Sequence, residues 1–212
     1  MIKKISALLL AGALAFSLTA CGKEDSVTPP GGNAPAASSG AASSGSGELT
    51  GLTQAFAEGP VLLTTGGQSA DYQMVGTLMK NLGMEYELNN VATSADLGDA
   101  KTLVVVVGGS SKGLGAAGID ADGELARVDE LIKGAEDAGL SIIVMHTGGS
   151  ARRGDLSDKF IAPIFEKADY AIVVKSGDED GLMAGICTNA GIPADMIDAI
   201  SDVATVLPKA FK

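Results

Sequence analysis

Read for its alternation of apolar and polar positions, the chain divides into three parts. A short apolar leader comes first, then a polar stretch nearly free of large apolar side chains. About 150 residues follow in which compact apolar runs alternate with longer amphipathic ones, enough for one domain with one full core. The densest run is Val104 to Val107, bounded by Thr102 and the pair Gly108-Gly109. An unbroken β-branched run of this kind predicts a strand buried on both faces, in the middle of a parallel sheet. Comparable runs predict strands at 61–65, 141–145 and 170–174. The stretch 85–90 (EYELNN) alternates and reads as a half-exposed edge strand, and 196–200 is a candidate sixth strand.

Between these runs the apolar spacing turns helical. Met74, Leu78 and Leu82 recur on one face after GGQSAD, with Ser69 or Asp71 placed to cap the helix. Leu125, Val128, Leu131, Ile132 and Ala135 define the apolar face of a helix from about 123 to 138. Further helices are expected over about 155–167, with Phe160, Ile164 and Phe165 inward, over 182–190, and over 203–211, where Pro208 interrupts regularity. Strands alternating with helices in this way predict an α/β fold: a single doubly wound, mostly parallel sheet of five or six strands. Right-handed crossovers favour the strand order 2-1-3-4-5.

In that order the loops after the first, third, fourth and fifth strands open at the carboxyl edge, where such sheets bind ligands. These loops are GGQSAD, GGSSKGLGAAGID, HTGGSARRGD and KSGDEDG. Glycine, polarity and charge are therefore segregated to one rim.

Composition adds an address. Lys3 and Lys4 precede the apolar run 5–16, which is followed by Leu18-Thr19-Ala20-Cys21. The run is too short to span a bilayer stably and reads as a signal peptide, 1–20. The tetrad resembles the lipobox of bacterial lipoproteins, in which the cysteine becomes the acylated first residue. Acyl chains anchor by burying methylenes at ~0.8 kcal/mol each. The expected mature protein is thus held to a membrane through Cys21 and faces the extracytoplasmic side. Residues 21–58, rich in Ser, Ala, Gly and Pro, are expected to form a disordered tether, and 59–212 the domain. The net charge of -11 argues against nucleic acid as a partner. Cys187, alone once Cys21 is acylated, sits among apolar neighbours and reads as a buried, inert thiol.

GQSAD after the first strand, SSKGLGAAGI after the third and a Gly-Gly turn with arginine after the fourth together resemble an uncharacterised domain family of exported bacterial lipoproteins, over about residues 59–207. The resemblance implies a Rossmann-like or flavodoxin-like fold and supplies no activity.

Residues 113–118 match G-x-G-x-x-G, but the helix is expected only after Ile119–Asp122, and the next strand ends in Met145-His146 rather than an acid. No dinucleotide or other cofactor is therefore expected. Residues 109–113 match G-x-S-x-G, so that Ser111, His146 and an orienting Asp178 form a candidate hydrolase set. Against it stand an expected glycine-rich coil after Ser111 and the order of the three residues. Lys112, Arg152, Arg153 and Lys175 bring cations to the rim, either to hold an anion or to pair with Asp155, Asp158, Asp178 and Asp180. The run 178–180 lacks the ligand spacing of a calcium loop, and no metal is expected.

These readings converge on a small polar or anionic ligand held at the carboxyl edge by Gln68, Ser69, Asp71, Ser110, Ser111, Lys112, His146, Arg152 and Arg153. The alternatives are a hydrolase using Ser111 and His146, and a module that recognises another envelope protein. A partner or a second copy in a homodimer would complete so small a site.

Overall fold

A computed structural model describes residues 49–212. The expected signal peptide, Cys21 and most of the expected tether lie outside the described residues. Among those described, no helix is long and apolar enough to cross a membrane.

Six parallel strands form one open sheet in the order β2-β1-β3-β4-β5-β6. They are β1 (Val61–Gly66), β2 (Tyr86–Leu88), β3 (Thr102–Val107), β4 (Ser141–His146), β5 (Tyr170–Val174) and β6 (Ala194–Ile197). The helices are α1 (Asp71–Asn81), α2 (Ser111–Ala117), α3 (Ala121–Ala138), α4 (Asp155–Phe165), α5 (Leu182–Ala190) and α6 (Val203–Val206). The doubly wound class and the expected strand order hold, and the sixth strand is real but begins earlier, at Ala194.

The four valines show why the central run is apolar at every position. Val105 and Val107 point to the layer of α3, α4 and α5, where they meet Val128, Phe160 and Ile164. Val104 and Val106 point to the opposite layer, with Val75 and Met79 of α1 and Val203 of α6. Successive side chains alternate across the sheet, and both faces are covered, so neither set can be polar. Fully burying one such side chain is worth ~1.5–3 kcal/mol.

Three local expectations are corrected. First, α1 buries Tyr72, Val75 and Met79, while Met74 is 53% and Leu82 39% exposed. The apolar stripe runs one position away from the spacing 74-78-82, because Gly76 lets the helix settle against Leu63 and Tyr86. Neither Ser69 nor Asp71 caps this helix, whose N-cap residue Ala70 accepts no side-chain bond. Second, the expected glycine-rich coil after β3 is helical from Ser111, with the Ser110 hydroxyl accepting from the Gly113 amide at 3.1 Å. Third, the chain is packed well before residue 59. Ala57 bridges to Phe211, Phe56 packs edge-on against Tyr170 with centroids 6.4 Å apart, and the Thr50 carbonyl accepts from Ala194.

The sheet reverses direction of growth between β1 and β3. Chain order moves outward from β1 to β2, then returns to β3 on the other side of β1. Loops leaving adjacent strands at such a switch point diverge to opposite faces and leave a crevice between them.

Candidate functional site

The loops after β1 and β3 are knitted together beneath that crevice. Gly108 donates to the Gly66 carbonyl at 2.9 Å, Ser69 to Gly108 at 3.0 Å, and Ser110 to Gly67 at 2.9 Å. Gly113 lies so close to the Gln68 carbonyl that any β-carbon there would collide with it. That close approach is the use the fold makes of the first glycine of the G-x-G-x-x-G match, which seats α2 on the β1 loop.

Above the knitted backbone lies a cleft of about 500 Å³ lined by residues of four loops. Gln68 and Tyr72 come from the β1 side, Asn90 from the end of β2, Ser110 and Lys112 from β3, and Arg152 from β4. The Asp71 carboxylate braces this arrangement. One of its oxygens accepts from the Arg152 Nε at 2.9 Å and from the Ser69 hydroxyl at 2.9 Å. Gly148 makes room for that pair, since a side chain there would strike both Arg152 and Asp71. The terminal nitrogens of Arg152 make no hydrogen bond among the described residues, and Lys112 is exposed and makes no ion pair among them.

A second set of residues, absent from the sequence reading, holds the floor. Glu124 is fully buried on α3 and accepts from the Gly67 amide at 3.0 Å and from Gln68 Nε2 at 3.2 Å on each oxygen. Arg127, one turn on, meets it with two bonds of 2.8 Å and also donates to the carbonyls of Ala92 at 2.6 Å and Thr65 at 2.7 Å. This pair fixes Gln68 in a left-handed conformation with φ of 63°, unusual for a residue with a side chain. A signal for it exists in the sequence. Glu124 falls in phase with Val128, Leu131 and Ala135 on the buried face of α3, where an unpaired acid would be expensive.

The structure separates the remaining candidates. Ser111 is exposed at the start of α2 and does not line the cleft. His146 is fully buried, and its Nε2 donates to the Arg152 carbonyl at 2.9 Å. A carbonyl only accepts, so Nε2 carries the proton and Nδ1 is the bare nitrogen. Among the described residues Nδ1 has no partner, and it lies against Gly177, where even a β-carbon would not fit. Burial pushes the imidazole pKa below its usual value of 6.5, opposed by the Arg152 carbonyl bond and reinforced by the nearby charge of Arg153. Ser111 and His146 therefore do not form a catalytic pair, although the helix the elbow motif requires is present. Asp178 does not orient the imidazole by a hydrogen bond. It accepts from the amides of Met183 at 2.6 Å and Ala184 at 2.9 Å and caps α5.

Arg153 is committed elsewhere on the rim. It donates to Asp158 at 2.9 Å, to both oxygens of Asp180 at 2.9 and 2.8 Å, and to the Gly177 carbonyl at 2.6 Å. Its guanidinium holds the Asp180 carboxyl down to about 2. Lys175 pairs with Asp198 at 2.7 Å. Burial pushes the Cys187 thiol up to about 11, as an inert thiol requires. No cluster of three or more metal-binding side chains is found among the described residues.

An open, doubly wound parallel sheet with a crevice at its switch point is the architecture of α/β proteins that bind ligands at the carboxyl edge. Within the doubly wound α/β class, the chain belongs to the family described as "Domain of unknown function (DUF6305)", which matches residues 58–211. No curated protein matches the sequence. Among solved structures, the psychrotrophic esterase EstA from Pseudoalteromonas sp., in a crystal structure inhibited by monoethylphosphonate, is similar with a TM-score of 0.30 and 12% identity, over 65% of this chain and 76% of that one. At that level the likeness carries no argument about activity.

Proposed function

We propose that this chain is a lipid-anchored, extracytoplasmic binding protein whose cleft between the β1 and β3 loops holds a small polar anion. The observation that supports it is the pairing of Lys112 with the unengaged end of Arg152 in one cleft of about 500 Å³, on a chain whose net charge is -11. On the same rim, by contrast, Arg153 and Lys175 each pair with neighbouring acids. Asp71 engages only the Nε of Arg152 and thereby aims the rest of the guanidinium. A carboxylate or phosphate between the two cations would gain charge-assisted hydrogen bonds of ~1.5–3 kcal/mol each.

The test is calorimetric titration of the purified chain with succinate and with inorganic phosphate, repeated on the double variant Lys112→Ala, Arg152→Gln. Binding that falls by ~2–4 kcal/mol while unfolding free energy falls by no more than ~1.5 kcal/mol is the expected result. Equal affinity in the double variant would place the anion elsewhere. The anchor has its own test: Cys21→Ala should move the protein out of the membrane fraction, and unchanged fractionation would refute the lipid attachment.

A further inference from the structure

The hydrogen-bond polarity along the cleft floor can be read without ambiguity from its buried end, and it constrains the ligand. An ionised carboxylate only accepts, so the group of Gln68 that meets both oxygens of Glu124 is its NH2. The same NH2 donates to the Asn90 carbonyl at 2.7 Å, which uses its second hydrogen. Reversing the Gln68 amide would set an oxygen against a carboxylate and a carbonyl at once. The Gln68 side-chain oxygen must then face Asn90, and the group it meets there, at 3.0 Å, must be the Asn90 NH2. Asn90, a half-buried residue of the cleft lining, is left with its side-chain oxygen unpartnered among the described residues.

The cleft is therefore asymmetric. Lys112 and Arg152 present only donors, whereas Asn90 presents an acceptor whose orientation is relayed from the buried Glu124–Arg127 pair. We propose that the ligand is a small organic molecule with an anionic group at one end and a hydrogen-bond donor at the other, an amino acid or a hydroxy acid in chemical class. This rests on the anion-binding reading above and adds the recognition of the far end. A methyl group at that end would leave the Asn90 oxygen desolvated and unpaired, and a second carboxylate would set oxygen against oxygen. Sites built to hydrogen-bond a polar group reject analogues that lack it far more strongly than apolar pockets reject a size change. Glu124 and Arg127 act as positioning residues, since neither lines the cleft.

The experiment uses four carboxylates of matched length. The purified chain is titrated by calorimetry with 4-aminobutyrate, 4-hydroxybutyrate, pentanoate and glutarate. The amino and hydroxy compounds should bind at least tenfold more tightly than the other two, and Asn90→Leu should abolish that preference, weakening the amino and hydroxy compounds at least tenfold relative to pentanoate. Equal binding of all four, preference for glutarate, or a preference that survives in folded Asn90→Leu would overturn the donor-end assignment and leave the anion reading standing. Failure of all four, and of inorganic phosphate, would overturn the anion reading and this inference with it. Should Asn90→Leu not fold, as judged by its melting curve, the wild-type ratio of 4-hydroxybutyrate to pentanoate decides alone.

Discussion

Arg152 and Arg153 are consecutive, carry the same group and leave the same turn after β4, yet the fold treats them oppositely. Arg152 ends the short helical turn Gly149–Arg152, whereas Arg153 is already extended, with φ of -119° and ψ of 164°. The change of backbone conformation sends the two side chains to different crevices. Arg152 meets one carboxylate through one nitrogen and keeps the others for the β1/β3 cleft. Arg153 meets two carboxylates and a carbonyl and closes the rim between β4 and β5 over the buried His146. On one side of the rim charge is held in reserve, and on the other it is consumed in holding loops together. Where a cation lies along the chain says little about its availability; the acids that reach it decide.

The sharpest way to break this contrast is at its base. Glu124→Gln leaves Arg127 buried without its counter-charge and loosens the β1 loop, so unfolding free energy should fall by ~3–5 kcal/mol in urea denaturation. A loss under ~1 kcal/mol would mean that the cleft wall stands without the pair. Next in size, Arg153→Ala should cost ~1.5–3 kcal/mol, since it breaks several charge-assisted bonds, discounted because the Asp180 side chain is 58% exposed to screening solvent. Arg152→Ala should cost ~1 kcal/mol or less by the same assay, because its single pair with Asp71 is partly exposed. Equal costs at the two positions would erase the division of the rim into a reserved and a consumed half.

A smaller effect is expected from pH. His146 is neutral in the folded protein and its pKa there is depressed below 6.5 by burial, so the unfolded chain binds the proton first. Stability should therefore decline as pH falls below about 6.5, toward the lower folded value, before the carboxylates begin to titrate. His146 is the only histidine, and His146→Gln should flatten the melting temperature between pH 6.5 and 4.5. An unchanged slope would show that the imidazole is not sealed. Smallest of all, Lys112→Ala should change stability by no more than ~0.5 kcal/mol, as an exposed residue without an ion pair among the described residues should. A larger loss would mean that Lys112 is structural like Arg153.

Part of the cleft was legible along the chain. Gln68, Ser110, Lys112 and Arg152 follow strands whose apolar runs announce them, and parallel strands bring their ends to one rim. Ser69 and Asp71 were placed at that rim as well, but they brace Arg152 rather than line the cleft. Asn90 escaped because β2 has only three residues and a weak, half-exposed pattern. Nothing near it marks the following turn as a wall of a cleft formed by other loops. His146 and Arg153 follow a strand at the same rim and read along the chain as part of one surface, whereas the sheet's width sets the β1/β3 and β4/β5 crevices apart.

By itself the sequence determined the class of fold, favoured the order of its strands and showed the edge at which its glycine-rich and charged loops gather. Those follow from periodicity, a local property: runs buried on both faces, helical stripes and glycine turns impose themselves wherever the chain goes. Only the tertiary structure decided which rim cations meet an acid among the described residues, that Glu124 is paired rather than stranded, and which group Gln68 turns toward Asn90. Each of those depends on the direction in which a side chain from one loop meets a donor or acceptor from another. Hydrogen bonds are directional and short, so residues distant in sequence acquire their chemistry only when packing brings them together.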